Sequence, residues 1–286
     1  MNDEIQVATA IKERERNNWA SAAEGWRRRD NILRKGAAPV TKRMLELSEI
    51  TSGARVLDIA SGTGEPAITA AKIVSDSGMV IGTDLVDEML MVAREKAEKE
   101  GLSNIDFHCI DAEKLIYTDG SFDAVTLRWG LMFMPQPQDC LASAYRVLKQ
   151  GGRITLACWS AQEKNPFVDV LLKTLEKYMD VPPPPPGNPG IFAFADQGRL
   201  LDFLAKAGFK NIVLEEMEID IIEVNNGLAY WEAISDLAAP VMALVGELED
   251  SVRSDYIGEV IRVADARKQD GTLRMKGTTW IASACK

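Results

Sequence analysis

Val56-Leu57-Asp58-Ile59-Ala60-Ser61-Gly62-Thr63-Gly64-Glu65-Pro66-Ala67 is an apolar strand that runs into a glycine turn and then into the start of a helix. Val56, Leu57 and Ile59 are the β-favouring residues of a buried strand, and Gly62 and Gly64 permit backbone conformations and close ligand approach that a side chain would block. Pro66 suits the first turn of the following helix. A strand, turn and helix of this kind aim backbone N–H groups and the positive helix end at whatever sits above the sheet. The stretch therefore reads as a nucleotide pocket, and the remaining sequence must say which nucleotide.

Downstream, strands and helices alternate: strand 55–60, helix 66–75, strand 79–85, helix 87–100 closed by Gly101, strand 105–110, strand 122–127, helix 139–150 capped by Gly151, and strand 153–159. This is the order of a doubly wound α/β sheet. Residues 5–50 read as helical, broken at Gly36 and Pro39, with Trp19 and Trp26 two turns apart on one face. Five prolines from Pro182 to Pro186, ending in Gly187-Asn188-Pro189-Gly190, predict a stiff connector or a lid hinge. Helix 196–207 and strand 212–224 follow, then a long apolar-faced helix from Leu228 to Leu248 kinked by Pro240, a charged helix 252–268, and a last strand 278–284. The expected organisation is a helical cap segment at 1–50, a core at 51–224 with the proline-rich insert near 182–190, a helical cap insert at 225–270, and a returning strand at 271–286.

Composition narrows the functional classes. The 286 residues are 46% hydrophobic, enough for a sizeable core. Four scattered cysteines and a single histidine support neither a disulfide framework nor a metal site, and a reducing cytoplasm fits them. No apolar run reaches the roughly 20 residues of a membrane span. A formal charge of -10 disfavours nucleic acid as a partner. Nothing in the sequence argues for an oligomer.

The glycine turn alone is shared by NAD enzymes and by S-adenosylmethionine enzymes. Asp84 ends the second strand, where a carboxylate can accept hydrogen bonds from ribose hydroxyls, a moiety common to both ligands. Asp111 ends the third strand and, with Ala112, would place an acceptor and a backbone N–H at an adenine edge. With these positions in view, the chain resembles the class I methyltransferases, close to the group containing ubiquinone and menaquinone C-methyltransferases and small-molecule O-methyltransferases. The resemblance runs over about residues 40–160 and rests on 56–64, Gly82-Thr83-Asp84-Leu85, Cys109-Ile110-Asp111-Ala112, Phe122-Asp123-Ala124-Val125 and Arg146-Val147-Leu148-Lys149-Gln150-Gly151-Gly152. It implies a Rossmann-like seven-stranded sheet with helices on both faces, and S-adenosylmethionine as cofactor with S-adenosylhomocysteine as product. Asp58, Ala60, Gly62 and Gly64 would contact the methionine end, Asp84 and Leu85 the ribose and adenine, and Asp111 and Ala112 the adenine. Ala60 stands where the family more often has glycine or cysteine. Asp58 has a second reading, as a carboxylate that holds the turn by accepting backbone N–H bonds.

The end of the fourth strand, Leu127-Arg128-Trp129-Gly130-Leu131-Met132-Phe133-Met134-Pro135, carries none of the elements expected for methylation of nucleic acid or of arginine, which leaves a small-molecule acceptor. C- or O-methylation by in-line transfer is the expected chemistry. Arg128 either clamps the cofactor or an anionic oxygen, or pairs with a strand-end carboxylate. Trp129, Met132 and Phe133 line an apolar pocket or pack in the core. Trp19 and Trp26 would lie over the sulfonium by cation–π attraction, or pack the N-terminal helix. His108, inside a strand, reads as structural. A general base, where one is needed, would come from Tyr230, Glu232 or Tyr256 in the cap. An NAD-dependent oxidoreductase and a non-catalytic regulatory protein that binds the cofactor are the competing readings.

Overall fold

The computed structural model describes residues 2–181 and 188–286. Seven strands form one sheet in the order β3-β2-β1-β4-β5-β7-β6. They are β1 Arg55–Ile59, β2 Met79–Asp84, β3 Ile105–Cys109, β4 Phe122–Arg128, β5 Leu148–Trp159, β6 Lys210–Val224 and β7 Leu273–Cys285. Strands β1 to β5 pair in parallel, while β7 is antiparallel to both β5 and β6. The order reverses between β1 and β4, so both strands point their C-terminal ends into one crevice, where α/β sheets hold ligands.

Period-2 alternation divides the apolar residues between two layers. Val56, Val80, Phe107 and Ala124 pack with Ile68 and Ala71 of α3 (Ala67–Val74) and Leu90 and Ala93 of α4 (Asp87–Lys99). Leu57, Ile59, Val125 and Leu127 pack in the larger layer with Leu141 of α5 (Pro137–Val147), Leu171 of α6 (Pro166–Leu175) and Leu204 of α7 (Gln197–Lys206). Helices thus cover both faces. The outer edge, β6, is guarded by charge: Glu215, Glu216 and Glu223 pair with Arg43, Lys164 and Lys35 at 2.6, 2.6 and 2.9 Å.

Three expectations change. The N-terminal region breaks at Arg29, between α1 (Asn2–Arg28) and α2 (Asp30–Leu47), and not at Gly36 and Pro39, which both lie inside α2. The second change concerns the cap. Helix α2 lies on the sheet against β4 to β7, with Val40 and Met44 fully buried, so only α1 stands outside the core layers. Packing explains why the helix tolerates Gly36: a Cβ there would stand 2.1 Å from the Ile221 carbonyl oxygen of β6. Thirdly, the single kinked helix expected at 228–248 is two helices, α8 (Gly227–Leu237) and α9 (Ala239–Val245), bent by 103° at Ala238. Pro240 sits in the first turn of α9, where its missing N–H costs nothing. Helix α10 (Asp250–Asp265) then leads to β7. The proposed hinge in the proline run falls on 182–187, outside the described residues. No single described helix is long and apolar enough to cross a membrane.

The close approach at Gly36 makes a signed prediction. Helix propensity favours alanine over glycine by about 1 kcal/mol, whereas forcing a methyl into backbone typically costs about 1–3 kcal/mol. Gly36→Ala should therefore lower the urea midpoint, and an unchanged or raised midpoint would show that α2 and β6 can separate freely.

Candidate cofactor cleft and acceptor cavity

The site begins with two carboxylates at neighbouring strand ends. Asp84 closes β2 and accepts from the N–H of Gly62 at 2.9 Å and of Val86 at 3.0 Å. It thereby holds the glycine turn against the end of β2. Burial pushes its pKa up to about 6 against the pull of those N–H groups. Asp58, on the neighbouring strand β1, accepts from Thr126 Oγ1 at 2.6 Å and from the Ala67 N–H at 3.2 Å. Its pKa also rises to about 6 by burial. Asp58 is completely buried and does not line the cleft. It takes the turn-holding role, fixing the first N–H of α3 to β4.

Gly62 and Gly64 divide in the same way. Gly62 has φ +51, and a Cβ there would meet nothing within 4 Å, because it would project into open cleft. Gly64 has φ +104, and a Cβ would stand 2.7 Å from Ile68 Cδ1 and 3.1 Å from Ala93 Cβ. It allows α3 and α4 to close on the turn, and it does not line the cleft. Ala60, with φ +54, does line it, its methyl against Gly130 where a further Cβ would stand 2.4 Å away. The ends of β1 and β4 are therefore as close as two residues permit.

The cleft these elements enclose measures about 1040 Å³, counting the part open to solvent. Ala60, Gly62, Asp84, Leu85, Asp111, Ala112, Arg128, Trp19 and Trp26 all face it. Asp111 is more occupied than the sequence suggests. One oxygen caps the turn after β3 by accepting from the Glu113 N–H at 3.0 Å, and the other accepts from Lys12 Nζ at 2.6 Å. Lys12 also pairs with Glu113, whose other oxygen accepts from the Gln136 N–H at 2.7 Å. Burial alone would lower the Lys12 pKa, but hydrogen bonds to the two carboxylates raise it. Helix α1 is thus tied across the cleft at its Asp111 end.

Lys12 and Glu15 are site residues that sequence reasoning missed. Their signal was present: Lys12, Glu15 and Trp19 at i, i+3 and i+7 mark one helical face. At the opposite end Trp19 meets Phe133 edge-on at 5.2 Å and Trp26 at 5.7 Å. Arg128 donates to Thr41 Oγ1 of α2 at 2.6 Å and lies 5.1 Å over the Trp129 ring, with no carboxylate as its ion-pair partner among the described residues. Burial lowers its pKa, opposed by Glu65 and Asp58.

Trp129 has φ +59, a sparsely populated backbone for a tryptophan, and is held there by several contacts. Its N–H donates to Ala157 O, its indole N–H donates to Thr279 Oγ1 at 3.0 Å, and its ring stacks on Trp159 at 4.2 Å. It forms the wall between this cleft and a second cavity of about 740 Å³, counting the part open to solvent. That cavity is walled by residues such as Trp26, Trp159, Phe167, Ile221, Ile234 and Val241, drawn from six different helices and strands.

The suggested cap bases are not there. Tyr230 and Tyr256 are fully buried, and donate to the carbonyls of Phe167 at 2.7 Å and Leu171 at 3.2 Å. They anchor α6, and burial raises the pKa of both. Glu232 is exposed on α8 and faces neither cavity. His108 bridges Tyr117 at 2.8 Å and Asp106 at 3.0 Å on β3, a structural position away from the cleft.

This sheet order, with an antiparallel seventh strand and acidic ends on β2 and β3 beneath a glycine turn, defines a class I S-adenosylmethionine-dependent methyltransferase. The chain belongs to the ubiE/COQ5 methyltransferase family, whose model matches residues 37–181. It is 33% identical over 214 residues to the ubiquinone/menaquinone biosynthesis C-methyltransferase UbiE of Azotobacter vinelandii, covering 70% of this chain and 83% of that one. The UbiE of Pseudomonas fluorescens is 32% identical, with 70% and 82% covered. Solved structures share the fold. The YcgJ protein of Bacillus subtilis has a TM-score of 0.55 at 20% identity, covering 86% of this chain and 97% of that one. A phosphoethanolamine N-methyltransferase of Haemonchus contortus, solved with S-adenosyl-L-methionine, has 0.54 at 19%, covering 87% and 52%. The chain is therefore an S-adenosylmethionine-dependent methyltransferase with a small-molecule acceptor, and these relatives give no support to an oxidoreductase or to a non-catalytic binding protein.

The buried carboxylate under the turn sets a pH dependence. A folded-state pKa near 6, above the ordinary 3.8, means that the native state holds the Asp58 proton more tightly than the unfolded chain. The corresponding stability is present below about pH 4 and is lost as pH rises to 6. Wild type should lose roughly 1–3 kcal/mol relative to Asp58→Asn between those limits. Denaturant unfolding of both proteins at several pH values checks this, and parallel pH curves would contradict it.

Proposed function

We propose that this methyltransferase acts on a largely apolar, ring-bearing acceptor and transfers the methyl group to carbon or oxygen. The observation that carries the reading is the second cavity, which adjoins the cofactor cleft through Trp19, Trp26, Trp129 and Phe133 and has no charged side chain among the described residues of its wall. Cavities lined in this way bind by burying apolar surface. The relatives named as C-methyltransferases of ubiquinone/menaquinone biosynthesis support an electron-rich ring as acceptor.

The fit of the cofactor rests on the open space above Gly62 and the carboxylate beside it. Asp84 would accept from the ribose hydroxyls, Ala112 and Asp111 would face the adenine, and Ala60, Gly62 and Arg128 would hold the amino-acid end, with Arg128 offering the cation for its carboxylate. Bound there, S-adenosylmethionine supplies a methyl group open to in-line displacement. The chain contributes orientation, which can be worth up to roughly 7–11 kcal/mol when the nucleophile is held in line. Trp19, Phe133 and Trp129 narrow the neck between the cavities and fix that line, while the apolar wall excludes water. With no acid or base among the described residues of the wall, the accepting atom must be nucleophilic as it arrives, as an electron-rich ring carbon or an ionised oxygen is. The apolar lining of the cavity also argues against a nucleic-acid acceptor, and the four free thiols suit a reducing cytoplasm.

A labelled-methyl screen of quinols, phenols, amines, thiols and carboxylates tests the reading. Label should enter apolar phenolic or quinol compounds, and label confined to hydrophilic amines would overturn it. Val241→Phe, which narrows the acceptor cavity, should raise the acceptor KM about tenfold and leave S-adenosylmethionine affinity unchanged by calorimetry.

A further inference from the structure

Glu15 has no part in the scheme so far, yet it faces the cofactor cleft from α1 and is only 8% exposed. Its Oε1 pairs with Arg14 at 3.1 Å, an outward-facing residue. Its Oε2 is buried and has no hydrogen-bond partner among the described residues. A buried carboxylate oxygen without a well-placed donor is costly, and one that faces a cleft is open to a donor or cation on a ligand. Burial raises the Glu15 pKa, with Arg14 and the side chain of Trp19 opposing.

The position of Glu15 along the cleft says what that partner is. Lys12, one turn before it, is tied to Asp111 at the adenine end, and Trp19, one turn after it, stands at the neck where the acceptor cavity begins. The cofactor sulfur must lie between those two places, since the methyl group has to reach the neck. The charge balance of the cleft agrees. Five carboxylates (Glu15, Glu65, Asp84, Asp111 and Glu113) line it against three cationic side chains (Lys12, Arg16 and Arg128). The methyl donor carries one more positive charge than its product, because the sulfonium becomes a neutral thioether on transfer.

On the cofactor assignment made above, we propose that Glu15 is the counter-charge for the sulfonium and makes the cleft prefer the methyl donor to the demethylated product. The attraction disappears with the methyl group, so the same residue that favours loading also favours release of the product. It contributes to binding and turnover, and it does not lower the barrier of the transfer, since the charge it complements is being lost there.

Calorimetric titration of Glu15→Gln and wild type with S-adenosylmethionine, S-adenosylhomocysteine and sinefungin, which carries an ammonium group near the sulfonium position, tests this. Glu15→Gln should weaken S-adenosylmethionine and sinefungin about tenfold while S-adenosylhomocysteine changes less than about twofold. Equal weakening of all three ligands would place Glu15 on the shared adenosine or in the fold, and no change in any would remove it from the site; either overturns the proposal. Should the variant not fold, wild type alone decides: it must bind the two cationic ligands more tightly than the thioether, and equal affinities overturn the proposal. Failure of wild type to bind any of the three would instead overturn the cofactor assignment, which separates the two.

Discussion

Two buried carboxylates hold the crevice of this sheet together. Asp58 ties the first N–H of α3 to Thr126 of β4, and Asp84 ties Gly62 to the end of β2. Three strands and one helix therefore meet at a single turn of about ten residues. Both carboxylates have pKa values raised to about 6 by burial, a cost set against the N–H groups they satisfy. Without these bonds the turn would have orphan donors inside the protein, and the cleft would have no floor.

The roof is built on different physics. Helix α1 reaches the cleft through a paired lysine at one end and an aromatic cluster at the other, both made with residues about 100 positions or more away. Arg27 pairs with Glu95 of α4, and Trp26 donates to the Leu237 carbonyl of α8 at 3.2 Å. Contacts of this kind are fewer and more exposed than those of the strands, which suits an element that must let a cofactor in and out. The second, apolar cavity sits under the same roof, so the two cavities share Trp19 and Trp26 as a common boundary.

Much of the core was legible because its signals are local. The alternation of apolar strands and amphipathic helices, the glycine turn and the acidic strand ends are each contained within a few residues, and Ala60, Gly62, Asp84, Leu85, Asp111 and Ala112 do face one cleft. Asp58 and Gly64 show where that logic stops. They belong to the same motif, but their neighbours Thr126, Ile68 and Ala93 turn them into supports of the turn. Tyr230 and Tyr256 were plausible as bases only while their surroundings were unknown; each is committed to a carbonyl of α6. Gly36 and Pro39 read as breakers, and it is the backbone of β6 lying against α2 that explains the glycine.

The sequence by itself determined the doubly wound core, because strand periodicity, turn chemistry and strand-end carboxylates act over short spans of chain, and the methyl donor followed from the resemblance of those motifs to the class I methyltransferases. Tertiary structure decided the place of α2 on the sheet, the closure of the cleft by Lys12 and Glu15, and the apolar cavity beside Trp129. Those features depend on residues from Lys12 to Thr279 coming within a few ångströms of one another, and long-range packing of that kind leaves no periodic trace in the residues that make it.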